Sequence, residues 1–419
     1  MDKPRVHWPS VAQFVLSLVA IAILWGLSFT AMAWALFELV ASGSASEETL
    51  LIFMTAIPLS ACGLLVLPSV YHPFVRTLGR KGIDSRAVLR KLHLEWWILA
   101  LPIVILVGHV IAEKTAVAWL FLPSFHLLAI GIPTAWMLYL AIHKLPKGSA
   151  QRMWGVFDSG LTLAPFLIML FEVLLAAGFV ILFVIYLAIR PELAERLQEL
   201  SVQLRDAGSP DAAIKLLGPV LAHPLVIASV ILFGAVLVPM VEEIFKPIGV
   251  WLLVGRKMTP AAGFAAGALS GAGYGFIESL VLTSSGQGWS ALVLARIGTS
   301  SVHILTSALT GWALVQAWQR RRFLRLGLAY LCAIMIHGLW NGLTLLYSYQ
   351  ILESAEGLPL RIPLIGAFGS VAPFALILLA SGCFFGLIAA NRALRRSAEK
   401  AKAEVEPGSV GGGTSESAV

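Results

Sequence analysis

The sequence predicts an all-α fold, namely a polytopic transmembrane helical bundle of about ten spans with both termini in the cytoplasm. Of its 419 residues, 58% are hydrophobic and only 13% are charged. A soluble domain is about 45–50% apolar and about 25% charged. Long apolar runs and loops of alternating charge complete the pattern, which excludes a soluble enzyme, a disordered chain and a fibrous repeat.

Each span needs about 20 apolar residues to cross the hydrocarbon core of a bilayer. Ten stretches qualify, and their apolar runs are continuous instead of alternating, which favours helices over a closed β-barrel. The third stretch is short, and only Glu113 and Lys114 separate it from the fourth. The predicted spans are 11–41, 50–72, 96–112, 115–143, 159–189, 224–254, 260–283, 289–318, 326–350 and 363–390.

The loops between these spans alternate in basic charge. One set, together with both termini, carries 22 lysines and arginines, whereas the opposite set carries six. Since cytoplasmic loops are the basic ones, both termini are predicted to lie in the cytoplasm. The net charge of +7 is therefore a sign of topology. We expect a lipid bilayer around the chain and no nucleic-acid partner.

We divide the chain into five regions. An N-terminal region of five spans precedes a mixed-charge, amphipathic segment on the outer side. A four-span core and one further span follow, and a tail rich in glycine, serine and acidic residues is expected to be disordered in the cytoplasm. The boundaries of the five regions are 1–189, 190–223, 224–350, 351–390 and 391–419.

Seven formal charges remain within the predicted spans, and each costs about 2.5–3.5 kcal/mol at a helix centre. Five of the seven fall between residues 242 and 296, and two mid-span histidines follow them. This clustering marks the candidate functional site. The charges are Glu38, Glu172, Glu242, Glu243, Lys246, Glu278 and Arg296. Four polar residues have no partner motif and are interpreted as structural or interfacial, namely Glu38, Glu172, His109 and His126.

The first motif is EEIFKP at residues 242–247. Glu242 and Lys246 are four residues apart and are expected to pair on one face of a helix. Pro247 has no backbone donor, so the carbonyl group of Glu243 loses its helical partner. Such backbone survives at membrane depth only inside protein or beside a water-filled cavity. The motif therefore predicts a wet pocket, with a structural ion pair in a kinked helix as the alternative.

The seventh and eighth spans carry the next two motifs. Glycines recur at every fourth residue from Gly263 to Gly275, which predicts close helix packing. Glu278 lies on the same stripe and should face the bundle. Arg296 and His303 are seven residues apart and share a helix face. Arg296 either reaches the outer membrane surface or pairs with Glu278.

His337 and Asn341 are four residues apart in the ninth span. Their imidazole and carboxamide suit an oxyanion donor set, or a ligand with its orienting partner. Helix rise places Glu242, His303 and His337 about 16–22 Å from the cytoplasmic side and Glu278 about 27 Å from it. Glu278 should therefore lie at the outer edge of the group. The residues expected to meet are Glu242, Glu243, His303, His337 and Asn341.

A carboxylate and histidines around a water can hydrolyse a peptide bond. The glutamate accepts the proton of the water, and histidine or asparagine donors stabilise the tetrahedral oxyanion. Two histidines and one glutamate also match a catalytic zinc site in kind, although the sequence has no HExxH motif. The cofactor is left open, with Zn²⁺ as the candidate and with Glu278, His303 and His337 as its candidate ligands.

The four motifs resemble those of the PrsW family of intramembrane proteases. That family has EExxK, FxxxE, HxxxxxxxG and HxxWN in this order. The corresponding segments are EEIFK at 242–246, YGFIE ending in Glu278, His303 with Gly311 eight residues later, and HGLWN at 337–341. The similarity covers residues 235–345, and it departs from the family pattern at Tyr274, where the family usually has phenylalanine.

The resemblance implies a membrane-embedded peptidase of a bacterial cytoplasmic membrane. Its substrates would be membrane-anchored proteins, such as an anti-sigma factor, cut at or near the outer face. Similar enzymes are described as metalloproteases and as glutamic-type proteases, so both mechanisms stay open.

Residue roles follow by analogy with the related CAAX prenyl endopeptidase and bacteriocin-processing group. Glu242 would activate water, and Glu243 would orient the site together with Lys246. His337 with Asn341 would hold the oxyanion. The full candidate catalytic set is Glu242, Glu243, Lys246, Glu278, His303, His337 and Asn341.

A proton- or cation-coupled transporter is the alternative function, because it would use the same carboxylates and histidines as a relay. The sequence has no evident repeat symmetry of the kind from which many transporters are built, and the HxxWN motif has no evident role in transport. A non-catalytic scaffold is a third possibility, and it predicts that all four motifs tolerate substitution.

Overall fold

The computed structural model describes residues 7–80, 83, 93–356 and 363–405, and every regular element within them is helical. Two short turns, Leu94–Trp97 and Ile98–Ala100, lead into the third of twelve helices. The helices are α1 Trp8–Ser42, α2 Glu47–Thr77, α3 Leu101–Ala112, α4 Thr115–Ile142, α5 Ala150–Ile189, α6 Pro191–Arg205, α7 Pro210–Leu221, α8 Pro224–Trp251, α9 Pro260–Val281, α10 Gly288–Arg320, α11 Phe323–Glu356 and α12 Pro363–Val405.

Eight helices of the described residues are long and apolar enough to cross a membrane, and each coincides with a predicted span. They are α1, α2, α4, α5, α8, α10, α11 and α12. The other two predicted spans are also helical. The span at 96–112 contains the shorter apolar helix Ile98–Ala112. The span at 260–283 contains α9, whose many glycines and alanines make it less apolar. Because α9 is buried along most of its length, it does not need a lipid-facing apolar surface.

The predicted glycine stripe forms the seam between α9 and α10. A Cβ atom at Gly271 would lie 2.5 Å from the carbonyl oxygen of His303. From the opposite helix, a Cβ atom at Gly311 would lie 2.5 Å from the carbonyl oxygen of Gly263. Only glycine allows backbones to approach so closely, so the prediction of close packing is confirmed. The seam fixes His303 against α9.

The N-terminal helices share a core with α9 and α10. Buried apolar side chains of α1 to α4 form one cluster with Phe276, Ile277 and Leu280 of α9 and with Trp289 of α10. A π-helical turn at Ser159–Leu163 interrupts α5 where this helix meets α9. The region 1–189 therefore packs directly on the core 224–350.

The segment 190–223, predicted as an amphipathic excursion, contains α6 and α7. The predicted disorder of the tail 391–419 needs a correction, because α12 continues to Val405. The sequence after Arg392 is rich in alanine, lysine, arginine and glutamate, which are strong helix formers, and this preference extends the helix beyond the last predicted span. Residues 406–419 lie outside the described part of the chain.

Helix α8 is irregular at both sides of its central motif. A π-helical turn spans Phe233–Leu237, and the helix breaks between Phe245 and Ile248, at Pro247. The carbonyl oxygen of Lys246 accepts a hydrogen bond of 2.5 Å from the hydroxyl of Ser270 on α9. A buried side chain thus replaces the helical donor that is lost at the break, and the irregular backbone lies inside protein.

Candidate functional site

Four long helices in sequence, α8 to α11, form the candidate site. Glu242, Glu243 and Lys246 come from α8, His303 comes from α10, and His337 comes from α11. Their exposed fractions are 5, 0, 0, 0 and 2%, respectively. Burial of charged groups is costly unless they pair with one another, so the contacts among these five side chains determine what the site can do.

Lys246 lies at the centre of the cluster. Its Nζ atom is 2.5 Å from Oε1 of Glu243 and 3.5 Å from Oε2 of Glu242. The same atom is 2.8 Å from Nδ1 of His303 and 3.2 Å from Nδ1 of His337. The expected pairing of Glu242 with Lys246 is present, but Glu243 is the nearer carboxylate, because the lysine extends towards His337, which Glu243 also contacts.

Glu243 is the most fully paired carboxylate of the cluster. Besides Lys246, its Oε1 atom lies 3.0 Å from Nδ1 of His337 and accepts a hydrogen bond of 3.2 Å from the hydroxyl of Thr306. Sequence reasoning did not assign Thr306 to the site. The available signal was its spacing of three residues from His303, which places both side chains on one helix face.

Glu242 is paired less completely. Its Oε2 atom is 3.8 Å from Nε2 of His337, and no donor of the described residues forms a hydrogen bond with it. The ring of Tyr274 lies beside the cluster, with its centroid 5.5 Å from Nζ of Lys246. A buried acceptor without a donor is costly, so this oxygen is available to a donor from outside the protein. Oε2 of Glu243 also has no hydrogen-bond donor among the described residues, but Oε2 of Glu242 is the one that faces Nε2 of His337.

Glu278 lies at the edge of the cluster, and its side chain is 27% exposed. Its Oε2 atom is 2.9 Å from Nη2 of Arg296 and 2.5 Å from Nε2 of His303. Arg296 also donates through Nε to the hydroxyl of Ser279 at 3.1 Å. Of the two arrangements expected for Arg296, the structure has the pair with Glu278. His303 therefore contacts Lys246 through one ring nitrogen and Glu278 through the other.

Asn341 has a different partner from the one expected. Its Nδ2 atom donates a hydrogen bond of 2.9 Å to the carbonyl oxygen of Gly234, in the π-helical turn of α8. Such turns leave backbone groups that need other partners, and the amide supplies one. The structure thus brings six of the seven predicted residues into one connected cluster and places Asn341 at the contact between α11 and α8.

Three of these side chains have the donor types of a metal centre. Glu242, His303 and His337 each offer a ligand atom, and these atoms lie within 4.8 Å of one another. The ligand set predicted from the sequence was Glu278, His303 and His337. In the structure Glu278 pairs with Arg296 and with Nε2 of His303, and Glu242 takes its place in the group. One carboxylate and two imidazoles form a catalytic set that Zn²⁺ prefers, and the unpaired oxygen of Glu242 fits this set. Both ring nitrogens of His303 have partners here, so a bound cation would replace its contact with Lys246 or with Glu278.

Comparison with known proteins gives one match. Residues 164–368, just under half of the chain, match the family model described as PrsW family intramembrane metalloprotease. No curated protein and no solved structure matches the chain. The family match contains all six residues of the cluster, and it extends beyond the residues 235–345 that carry the sequence motifs, into α5 on one side and α12 on the other.

Proposed function

We propose that the chain hydrolyses peptide bonds of membrane-anchored protein substrates and that Glu242 is the group that activates water. Residues 164–368 match the PrsW family of intramembrane metalloproteases, and this match implies a peptidase. The observation that carries this proposal is the Oε2 atom of Glu242, which is buried and has no hydrogen-bond donor.

Glu242 acts first as a base and then as an acid. A water molecule that donates a hydrogen bond to Oε2 is oriented by the carboxylate for attack on the scissile carbonyl carbon. The carboxylate takes the proton as the oxygen–carbon bond forms. It then gives this proton to the amine nitrogen as the carbon–nitrogen bond breaks, which restores the carboxylate.

Lys246 supplies positive charge, and both His337 and Lys246 supply hydrogen-bond donors for the oxyanion. Nε2 of His337 and Nζ of Lys246 lie 3.8 and 3.5 Å from the Glu242 oxygen, so both groups border the position of the reacting atoms. Preorganised donors of this kind stabilise the developing charge in a site that excludes water. Asn341 is a positioning residue, because its contact with Gly234 holds α11 against α8.

Glu243 and Glu278 have supporting roles. Glu243 is held by Lys246, His337 and Thr306, so it balances the lysine charge and orients both basic groups. Glu278 orients His303 from the opposite side. These contacts fix the rotamers of the reactive side chains, which is what a preorganised catalytic site requires.

The donor set of Glu242, His303 and His337 would hold a divalent cation such as Zn²⁺. When bound, such a cation polarises a carbonyl group and lowers the pKa of water. Lys246, which approaches Nδ1 of both histidines, then supplies a second positive charge beside the same carboxylate.

We further propose that both termini lie in the cytoplasm, that all ten predicted spans are membrane-embedded, and that the membrane is the bacterial cytoplasmic membrane. The alternation of 22 against six basic residues supports this orientation. The proposed substrate is a membrane-anchored regulatory protein, such as an anti-sigma factor. It would be cut at or near the outer face, as the resemblance implies.

A reconstituted system tests this function. The purified protein is placed in liposomes with a single-span reporter, and mass spectrometry identifies any products. Cleavage at one site by the native protein and its loss in Glu242→Ala, with both proteins folded, support the proposal. The transporter alternative predicts a proton or cation flux with an intact reporter, and the family match does not favour it.

A further inference from the structure

One intramembrane carboxylate has no role in the proposed mechanism. Glu172 lies in the middle of α5 and within the residues that match the protease family. It is half-buried, and the ion pairs of the described residues do not include it. An unpaired carboxylate at membrane depth is costly and marks a candidate functional residue.

The face of α5 that carries Glu172 packs against the active-site helices. Ile168 is 3% exposed and lies in a cluster with Tyr274. The ring of Tyr274 contacts that of His303, with the centroids 5.2 Å apart. Glu172 follows Ile168 by four residues and therefore lies one turn further along the same face. Its neighbour Phe171 contacts Phe245 with ring centroids 4.9 Å apart.

These contacts also set the depth of Glu172. The pairs Phe171–Phe245 and Phe179–Phe233 show that α5 and α8 run antiparallel. Glu242 precedes Phe245 by three residues, which is about 4.5 Å along α8. Glu172 therefore lies at nearly the level of the catalytic carboxylate. The charged groups that act on it most strongly are two other acids, Glu242 and Glu278.

Glu172 and Glu278 mark the side on which the cluster opens. Glu172 is half-buried and the Glu278 side chain is 27% exposed, whereas Glu242, Glu243 and Lys246 are at most 5% exposed. Of these carboxylates, Glu172 and Glu278 are therefore the two that a peptide segment in the membrane can contact.

This opening is acidic. Glu172 and Glu278 lie in it, and Glu242 is buried behind them. Glu278 is paired with Arg296 and Glu242 with Lys246, so Glu172 is the carboxylate without a basic partner among the described residues. A positive charge is favoured among these carboxylates, and a further negative charge is strongly disfavoured, because interactions are strong where water is excluded. Lysine and arginine side chains are long enough to place their charge in such an opening while their alkyl stems stay in an apolar environment.

We propose that Glu172 is a specificity-determining residue that binds a basic side chain, lysine or arginine, next to the scissile bond of the substrate. This inference rests on the proposed protease function. Glu172 does not touch the reacting atoms in this account; it selects the substrate, because like charges across an interface cost several kcal/mol and reject the wrong partner.

A charge exchange tests the proposal. Mass spectrometry first locates the bond that the native protein cuts in a single-span reporter. Reporters are then made with lysine, leucine or glutamate at each of the four positions on either side of that bond, and kcat and KM are measured in liposomes. At one position we expect the native protein to prefer lysine over glutamate by roughly ten- to a hundred-fold in kcat/KM. We expect Glu172→Lys to reverse this preference and Glu172→Gln to remove it.

Two controls separate this role from a structural one. In Glu172→Gln the ratio of kcat/KM on the lysine reporter to that on the leucine reporter should fall, because this ratio does not depend on the amount of folded enzyme. Glu38→Lys places the same substitution in α1, which packs on α2, and it should leave the native preference unchanged.

An unchanged lysine preference in both Glu172 variants overturns the proposal, and so does an equal loss of kcat on all reporters. In both cases the protease function still stands, because cleavage itself is observed. If the native protein cuts none of the reporters, the proposed function falls and the role of Glu172 falls with it.

Discussion

The ammonium group of Lys246 lies 2.8 Å from Nδ1 of His303. This contact connects two parts of the site, because Lys246 also pairs with Glu243 on one side and His303 also contacts Glu278 on the other. Side chains from α8, α9 and α10 are thereby joined in one polar network inside the bundle. In such a network, removal of one member leaves the others buried without partners.

Lys246→Met therefore removes the central charge of the network. We expect the free energy of unfolding to fall by about 3–5 kcal/mol, because Glu243 keeps its buried charge without its main partner. Thermal unfolding in detergent measures the effect. Lys257→Met, in the exposed segment that follows α8, is the matched control and should unfold like the native protein. An unchanged unfolding temperature of Lys246→Met would contradict the account of the network.

The close approach of α9 and α10 predicts a second effect on stability. A Cβ atom at Gly267 would lie 2.1 Å from the carbonyl oxygen of Ser307, so Gly267→Ala must separate the two backbones. We expect a loss of about 1–3 kcal/mol in the free energy of unfolding. Gly327→Ala in α11, where the added atom meets nothing within 4 Å, should be neutral or stabilising by up to about 1 kcal/mol. Equal unfolding temperatures of the two variants would show that the seam is not tight.

Thr306 should contribute to activity through its hydrogen bond to Glu243. Thr306→Val keeps the shape of the side chain and removes a bond to a charged group, which is worth about 1.5–3 kcal/mol. We expect cleavage to slow by about ten-fold or more. Thr310→Val is the matched control, because the hydroxyl of Thr310 bonds only to its own helix, at the carbonyl of Thr306. If the two variants cleave the reporter at equal rates, Thr306 has no special role.

Metal content distinguishes the ligand set of the structure from the one that the sequence predicted. We expect the purified protein to bind about one equivalent of Zn²⁺, measured by elemental analysis, and a chelator to remove both metal and activity. His303→Ala and His337→Ala should lose the metal, whereas His109→Ala on α3 should keep it. Retention of metal in Glu278→Gln and its loss in Glu242→Gln are the outcomes that this geometry requires. The opposite pair of results would restore Glu278 as the ligand.

Much of the site was predictable, because charges inside a membrane must find one another. The motif spacing and the rise of a helix placed Glu242, His303 and His337 at one depth, and the structure joins them with Lys246. The glycine stripe likewise predicted the seam between α9 and α10, since small residues at every fourth position leave one flat helix face.

Other features depended on packing that a sequence pattern does not record. In the π-helical turn of α8, the carbonyl group of Gly234 accepts a hydrogen bond from the side-chain amide of Asn341. The amide is therefore not placed as the oxyanion donor that its spacing from His337 suggested. Ser270 replaces a lost helical donor at Lys246 from a different helix. Glu172 had no motif partner in the sequence, and its relation to the site emerged only from the contacts between α5 and α8.

The most direct test of the central claim is the rate of reporter cleavage by Glu242→Gln in liposomes. This substitution keeps the size of the side chain and removes the carboxylate that accepts the proton and that would also bind the cation. We expect kcat to fall by about 10²–10⁴-fold while the protein stays folded, and Glu38→Gln on α1 should cleave at the native rate. Cleavage by Glu242→Gln at the native rate would contradict the assignment of Glu242 as the group that activates water.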